Sequence, residues 1–172
     1  NELAEDFEEI YIFTYGGKSD KKYEYYLEDN VSICPKKGVS NNILYSVLLP
    51  LIYWPIIRQS TILKTNQMRG SWSAVIASWV SAGKLVVRTG YILSLFDRNE
   101  GKSPRISILI EKIAYFFADG IITSSKTGFD YVENKYNPSA PHNMIPNYID
   151  TELFCPDERE RVADLCFVGR LE

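Results

Sequence analysis

Arg88 closes a run of apolar residues, Leu85 to Val87, and is followed by Thr89, Gly90 and Tyr91. A guanidinium is always charged and presents a planar fork of N–H donors, so it suits a carboxylate, a phosphate or sugar oxygens. Gly90 has no side chain, which allows a ligand to approach the backbone closely. These residues predict a binding site directly after a buried strand.

Comparable groups follow the other segments that we expect to be strands. The carboxyl ends of parallel strands share one edge of a sheet, and ligands bind there. For any single residue, ordinary loop polarity is the simpler explanation, and Ser124 or Ser125 could be a helix cap. As a set, the predicted cleft-lining residues are Gly16, Gly17, Asn66, Gln67, Arg88, Thr89, Gly90, Tyr91, Ser124 and Asn147.

The elements that must position these groups alternate between strand and helix. Predicted strands cover residues 10–15, 31–34, 61–65, 84–88, 120–123 and 143–146. Predicted helices cover residues 1–10, a segment that starts near Asn41 with Ser40 as its cap, residues 68–80 and 106–117, and a segment from Ser124 or Ser125 to about Tyr136. This order predicts the α/β class, a Rossmann-like parallel sheet with helices on both faces.

The remaining expectations concern a polar loop, the residues Glu111 and His142, and the start of the chain. Residues 97–103 are polar and predict a loop. Glu111 lies within the predicted helix 106–117 and is expected on its solvated face, while His142 is expected in a solvated loop before the last strand. The chain starts as a helix that passes directly into a strand, which predicts a further strand upstream.

Composition excludes several classes of function. The 172 residues are 45% hydrophobic and 24% charged, which is typical of a globular protein, and the net charge of −3 argues against binding to nucleic acid. Three cysteines and one histidine lack the spacing of a zinc site, so no metal is predicted, and free thiols indicate a reducing, cytoplasmic location. Neither a dinucleotide fingerprint nor a Walker loop is present, and a lone His142 does not predict a hydrolase triad.

The longest apolar run, Ile43 to Ile57, contains Pro50 and Pro55 and is too short to span a bilayer. We favour a buried helix kinked by proline. The alternative is contact with a membrane surface, at the inner face of the membrane, through Tyr53 and Trp54 and the flanking cations Lys36, Lys37 and Arg58.

The last thirty residues of the sequence contain MIPNYIDTELFCP, a charged spacer DERERVA, and DLCFVGRLE. This order resembles the junction between the two domains of glycosyltransferase family 4, whose members have the GT-B fold. The resemblance implies an acceptor-side, N-terminal Rossmann-like domain over residues 1–154, a linker over 155–163, and the first strand of a C-terminal donor domain over 164–172. The segments ILKTNQMRGSW and LVVRTGYILSLF resemble the cleft-facing loops of the same family.

The family resemblance also implies an activity. The protein would transfer a sugar from a UDP- or GDP-sugar to a sugar or glycan acceptor, with retention of configuration and without an essential metal or cofactor. Gly169 and Arg170 match the Gly-Arg pair that holds the donor diphosphate, which a guanidinium fork can bind bidentately. Asn66, Gln67, Arg88 and Tyr91 would then line the acceptor side, and the chain's own C-terminal domain would close the cleft.

Three departures from the family pattern leave alternatives open. Tyr148 replaces the usual glycine after Ile-Pro-Asn, no histidine follows the strand that ends at Arg88, and the glycine-rich loop after the first strand is lacking unless Gly16 and Gly17 supply part of it. No catalytic base is therefore assigned. The alternatives are a nucleotide-sugar 2-epimerase with the same two domains, and a non-catalytic domain that binds carbohydrate or protein.

Overall fold

The computed structural model describes residues 2–148 and residue 151. Its strands are β1 (Ile10–Phe13), β2 (Val31–Cys34), β3 (Ile62–Lys64), β4 (Lys84–Thr89), β5 (Gly120–Thr123) and β6 (His142–Met144). Its α-helices are α1 (Glu2–Asp6), α2 (Asn42–Ile52), α3 (Trp54–Gln59), α4 (Ser71–Ser78), α5 (Leu93–Asn99), α6 (Arg105–Phe117) and α7 (Lys126–Tyr136). Short 3-10 helices cover Lys18–Tyr26 and Met68–Gly70.

The strands form two parallel sheets, one of β1 and β2 and one with the order β3-β4-β5-β6. In the larger sheet Thr89 of β4 pairs with Thr123 of β5, which pairs with Met144 of β6. The carboxyl ends of these three strands therefore lie at one edge. Parallel strands flanked by helices confirm the predicted α/β, Rossmann-like class.

The core lies between the larger sheet and the helices that follow its strands. Leu85, Val87 and Ile121 point into it and are at most 1% exposed. Helix α4 packs on β3 and β4, and α6 packs on β4. Because side chains alternate along a strand, Val86 and Arg88 point to the opposite face and are partly exposed.

The long apolar run forms two helices rather than one, because the chain turns at Tyr53 between α2 and α3. Asn41, not Ser40, caps α2, and its side-chain oxygen accepts from the N–H groups of Ile43 and Leu44. The run is only half buried, so the predicted buried helix is partly wrong. Among the residues that the structure describes, no helix has the length and apolar character needed to cross a membrane.

Two predictions around α5 and α6 are wrong. The expected loop 97–103 begins inside α5, where the buried Asp97 accepts a hydrogen bond from Ser107 and forms a 3.0 Å ion pair with Arg69. Glu111 is not solvated but fully buried.

The Glu111 carboxylate links three helices through its hydrogen bonds. It accepts hydrogen bonds from the N–H and the hydroxyl of Ser94, both at 2.8 Å, and from the hydroxyl of Tyr136 at 2.5 Å. The pKa of Tyr136 is raised above its usual range, first by burial and then by its hydrogen bond to Glu111. Ser94 lies on α5 and Tyr136 on α7, so the carboxylate on α6 ties both helices together.

Candidate functional site

The guanidinium of Arg88 lies across the carboxyl edge of the larger sheet. It donates to the side-chain oxygen of Asn66 at 3.1 Å and to that of Asn147 at 2.8 Å. Asn66 follows β3 and Asn147 follows β6, which are the two outer strands of this sheet. Sequence reasoning placed all three residues at the site, and the fold joins them directly.

The backbone of Arg88 is fixed by a buried hydroxyl. Thr65 Oγ1 accepts from the Arg88 N–H at 2.9 Å and donates to the Arg88 carbonyl at 3.2 Å. The Thr65 N–H in turn donates to the carbonyl of Val86. These bonds hold the end of β3 against the end of β4, so the direction in which the Arg88 side chain leaves the sheet is set by the fold.

Lys64 is a second cation on the same face. It pairs with Val86 across the sheet, two residues before Arg88, and strand alternation places both long side chains on one side. Burial of part of the Lys64 side chain lowers its pKa, and the nearby Arg88 lowers that pKa further. Within residues 2–148, no carboxylate forms an ion pair with either residue. Two neighbouring cations, of which Arg88 is held by two neutral amides, form an arrangement that favours an anionic ligand.

A small pocket opens on the other side of the same edge, with a volume of about 70 Å³. Because Thr89 follows Arg88 in a strand, its side chain points to the helix-covered face. Most residues that line the pocket carry a hydroxyl group, and the lining consists of Thr89, Gly90, Tyr91, Ile92, Thr123, Ser124, Ser125, Thr127 and Gly128. The predicted residues are therefore divided between two faces of one edge.

The wall of the pocket is held in place by local hydrogen bonds. Ser124 donates to the carbonyl of Gly90 at 3.1 Å, and Thr89 donates to the carbonyl of Tyr91 at 2.5 Å. Ser125 caps α7 by accepting from the N–H of Gly128 at 3.1 Å. Ser125 is thus the cap of the two serines that the sequence offered, and Ser124 remains at the pocket.

Gly90 leaves free space at the mouth of the pocket. A Cβ built on it meets no atom within 4 Å, and its φ is not in the left-handed region. The fold itself therefore does not require glycine at this position. The open space is available to a ligand that approaches the backbone.

His142 supports the floor of the pocket and is not the solvated loop residue that we expected. Its side chain is 3% exposed, its Nδ1 lies 2.7 Å from the carboxylate oxygen Oε1 of Glu133, and its Nε2 lies 3.2 Å from Thr123 Oγ1. Its ring stacks on Phe129 with centroids 4.2 Å apart. The imidazole therefore orients the buried hydroxyl of Thr123 and joins β5, β6 and α7.

The other predicted site residues are not brought to this edge by a described contact. Gly16 and Gly17 follow β1 in the smaller sheet, where the Gly16 N–H donates to Asp20 and Gly17 has a φ of 95° at the start of a 3-10 helix. Gln67 is exposed and precedes the 3-10 helix at Met68 without capping it through its side chain. Gly169, Arg170, and the linker and domain boundaries at 155–163 and 164–172 lie outside the described residues.

Sequence reasoning missed Lys64, Thr123 and Thr127. Lys64 of β3 pairs with Val86 of β4, so it lies on the same face of the sheet as Arg88 and diagonally next to it. The register of these two strands would therefore have identified Lys64. Thr123 ends an apolar strand and was treated as part of it. Both residues are recognised only from the pairing of neighbouring strands, which the sequence of one strand does not give.

No protein-family model matches the chain, and no curated protein matches it significantly in sequence. The family suggested by the terminal motifs therefore stays a prediction. Function is inferred from the chemistry of the carboxyl edge together with those motifs.

Proposed function

We propose that this chain forms the acceptor-side domain of a glycosyltransferase that moves a sugar from a nucleotide-sugar to an acceptor. The observation that carries the proposal is the Arg88 guanidinium, which two amides from opposite ends of the sheet hold at the edge where parallel sheets bind ligands. The motifs around Asn147 and Arg170 support the same activity by resemblance.

The two faces of the edge suit different parts of an acceptor. Lys64 and Arg88 provide positive charge, while the pocket offers hydroxyl and carbonyl groups for hydrogen bonds. Tyr91 is 38% exposed beside this pocket, and its ring lies 5.3 Å from that of Phe96. A partly exposed aromatic ring next to oriented polar groups is a typical surface for the apolar and polar faces of a sugar.

The proposed reaction breaks the bond between the anomeric carbon of the sugar and the donor diphosphate. A bond forms between that carbon and an oxygen of the acceptor, and the proton of the acceptor hydroxyl is released with the nucleoside diphosphate. Arg88, with Asn66 and Asn147, would position the acceptor. Arg170 and Gly169 would bind the departing diphosphate, where a guanidinium stabilises developing negative charge.

Calorimetry with the full-length protein and with this 172-residue chain tests the proposal, using UDP-glucose, GDP-mannose, UDP and GDP as probes. We expect the full-length protein to bind one donor and its nucleoside diphosphate, because the diphosphate site is assigned to the second domain. The isolated chain should bind none of them tightly. Donor binding of equal strength to the chain alone, or no binding to the full-length protein, contradicts the assignment.

The products of turnover separate the alternatives. Release of UDP or GDP together with a new glycoside indicates a transferase. Conversion of the UDP-sugar to an isomer without any acceptor indicates the 2-epimerase. Carbohydrate binding without turnover or donor binding indicates a non-catalytic module.

A further inference from the structure

The chemistry of the guanidinium fixes the orientation of the two amides around Arg88. A guanidinium has five N–H donors and no acceptor, so Asn66 and Asn147 must turn their amide oxygens toward it. The NH2 groups of both amides then point away from Arg88 and are donors. One N–H of Nη1 and one of Nη2 are used in these two bonds, and the guanidinium makes no other side-chain hydrogen bond to a described residue. Its other N–H groups are therefore available to a ligand.

Lys64 adds an ammonium group to the same face of the sheet. It pairs with Val86 across β3 and β4, so it lies diagonally next to Arg88. The residue is exposed, and its ammonium can reach a ligand at the edge. An ammonium, like a guanidinium, only donates hydrogen bonds. We call Lys64, Asn66, Arg88 and Asn147 the donor cluster.

The two cations of the donor cluster repel each other. Partial burial lowers the pKa of Lys64, and the positive charge of Arg88 is the next cause that lowers it. The ion pairs within residues 2–148 involve other cations, although the chain as a whole has a net charge of −3. In this part of the chain, folding thus brings two positive charges together without a carboxylate to offset them. A ligand of opposite charge would relieve the repulsion.

We propose that the donor cluster binds an oxyanion, namely the carboxylate or phosphate group of an acidic acceptor sugar. An oxyanion has only acceptor atoms, so it complements side chains that offer donors. A neutral hydroxyl group would leave both positive charges uncompensated, and a cation would be repelled. That the bound molecule is the acceptor rests on the proposed function, whereas the anion site itself does not.

Titration of the 172-residue chain, followed by nuclear magnetic resonance, tests the anion site without any donor substrate. The probes are glucuronic acid, glucose 6-phosphate and glucose. We expect at least one of the two acidic sugars to shift the side-chain amide signals of Asn66 and Asn147, and glucose at the same concentration to leave them unchanged. The acidic sugar that binds more tightly identifies the oxyanion. Added salt should weaken its binding, because the charges are partly exposed and are screened.

Single substitutions test the contribution of each cation. Arg88→Gln removes a charge-assisted hydrogen-bond donor and should weaken binding of the acidic sugar at least about tenfold. Lys64→Gln should weaken it roughly threefold to fivefold, because an exposed ammonium contributes less. Lys112→Gln on α6 removes the same charge from an exposed residue elsewhere and is the control, with no expected change.

Asn66→Asp changes the charge of the donor cluster with little change in its shape. The new carboxylate still accepts from Arg88, so we expect the free energy of unfolding not to fall. The variant lacks the NH2 donor and carries a negative charge at the site, so binding of the acidic sugar should weaken at least about tenfold. Binding at the wild-type level would mean that Asn66 only supports the fold, and it would contradict the proposal.

Two further results overturn the proposal. One is that neither acidic sugar binds more tightly than glucose, and the other is an equal loss of binding in Lys112→Gln.

Turnover by the full-length protein separates this inference from the proposed function. Transfer to neutral acceptors as fast as to acidic ones overturns the acidic acceptor and leaves the glycosyltransferase assignment in place. Binding of an acidic sugar without any transfer supports the anion site and contradicts the glycosyltransferase assignment.

Discussion

The carboxyl edge of the larger sheet and the helices α2 and α6 follow the hydrophobic pattern of the sequence to different degrees. At the edge, apolar strands are buried and the polar residues that follow them are gathered, as the order of the elements predicts. In α2 and α6, several large apolar residues face outward. The position of a residue after a strand is thus a stronger guide to its surroundings than its polarity within a helix.

The difference has a physical cause. In a parallel sheet, the register of the backbone hydrogen bonds fixes the positions of the strand ends relative to one another. A helix can rotate about its axis, and specific buried groups can select the rotation. In α6 the three donors to the Glu111 carboxylate, with Ser107 bound to Asp97, favour the rotation that turns Glu111 and Ser107 inward.

We expect the largest effect on the free energy of unfolding from a substitution of Glu111. Glu111→Ala removes the acceptor of three buried donors, and we expect the free energy of unfolding to fall by about 3 kcal/mol in urea denaturation. Leu109→Ala on the same helix is the matched control, and its effect should stay within about 0.5 kcal/mol because Leu109 is exposed. If Leu109→Ala were the more damaging change, the orientation of α6 would be wrong.

A substitution of Gly90 tests whether a ligand contacts the backbone at the carboxyl edge. In Gly90→Ala the added methyl group meets no protein atom, so the free energy of unfolding should stay unchanged or rise by up to about 1 kcal/mol through loss of entropy in the unfolded chain. A ligand in contact with this backbone would meet the methyl group, and we expect turnover by the full-length protein to fall about tenfold. Equal turnover in variant and wild type would place the ligand away from Gly90.

The cap of α2 tests how the apolar run is positioned. Asn41→Ala removes an acceptor of two backbone N–H groups and should lower the free energy of unfolding by about 1 kcal/mol. Ser40→Ala, one residue earlier, should have little effect because the Asn41 side chain provides the cap. Thermal denaturation of the two variants compares them directly; a larger loss in Ser40→Ala contradicts the assigned cap.

A substitution of Asp119 should have the smallest effect on the free energy of unfolding. Hydrogen bonds from the Lys84 ammonium and then from the Leu85 N–H lower the pKa of this carboxyl. A lowered pKa in the folded state stabilises the fold above the unfolded pKa of about 3.9, and this contribution is lost as the pH falls through the folded pKa. The pair is largely exposed, so we expect less than about 1 kcal/mol. The acid dependence of unfolding should be weaker in Asp119→Asn, and identical curves would exclude the contribution.

The sequence predicts the strands well and the helical environment less well. All six strands predicted within residues 2–148 exist, and Asn66, Arg88 and Asn147 meet as expected, because the carboxyl ends of parallel strands share one edge of the sheet. Glu111 was expected in solvent because a carboxylate is rarely buried without partners, and its partners are 17 and 25 residues away in sequence. His142 was placed in a loop for a similar reason, since its partners Glu133 and Thr123 lie 9 and 19 residues away in sequence.

The most direct test of the central claim is the turnover of nucleotide-sugar by the full-length protein and its Arg88→Ala variant, with Arg98→Ala on α5 as the control. We expect Arg88→Ala to lose at least about tenfold in turnover, because one hydrogen-bonded charge contributes roughly 1.5–3 kcal/mol, while donor affinity and the Arg98→Ala variant stay near wild type. Undiminished turnover in Arg88→Ala would contradict the assignment of this edge as the acceptor site.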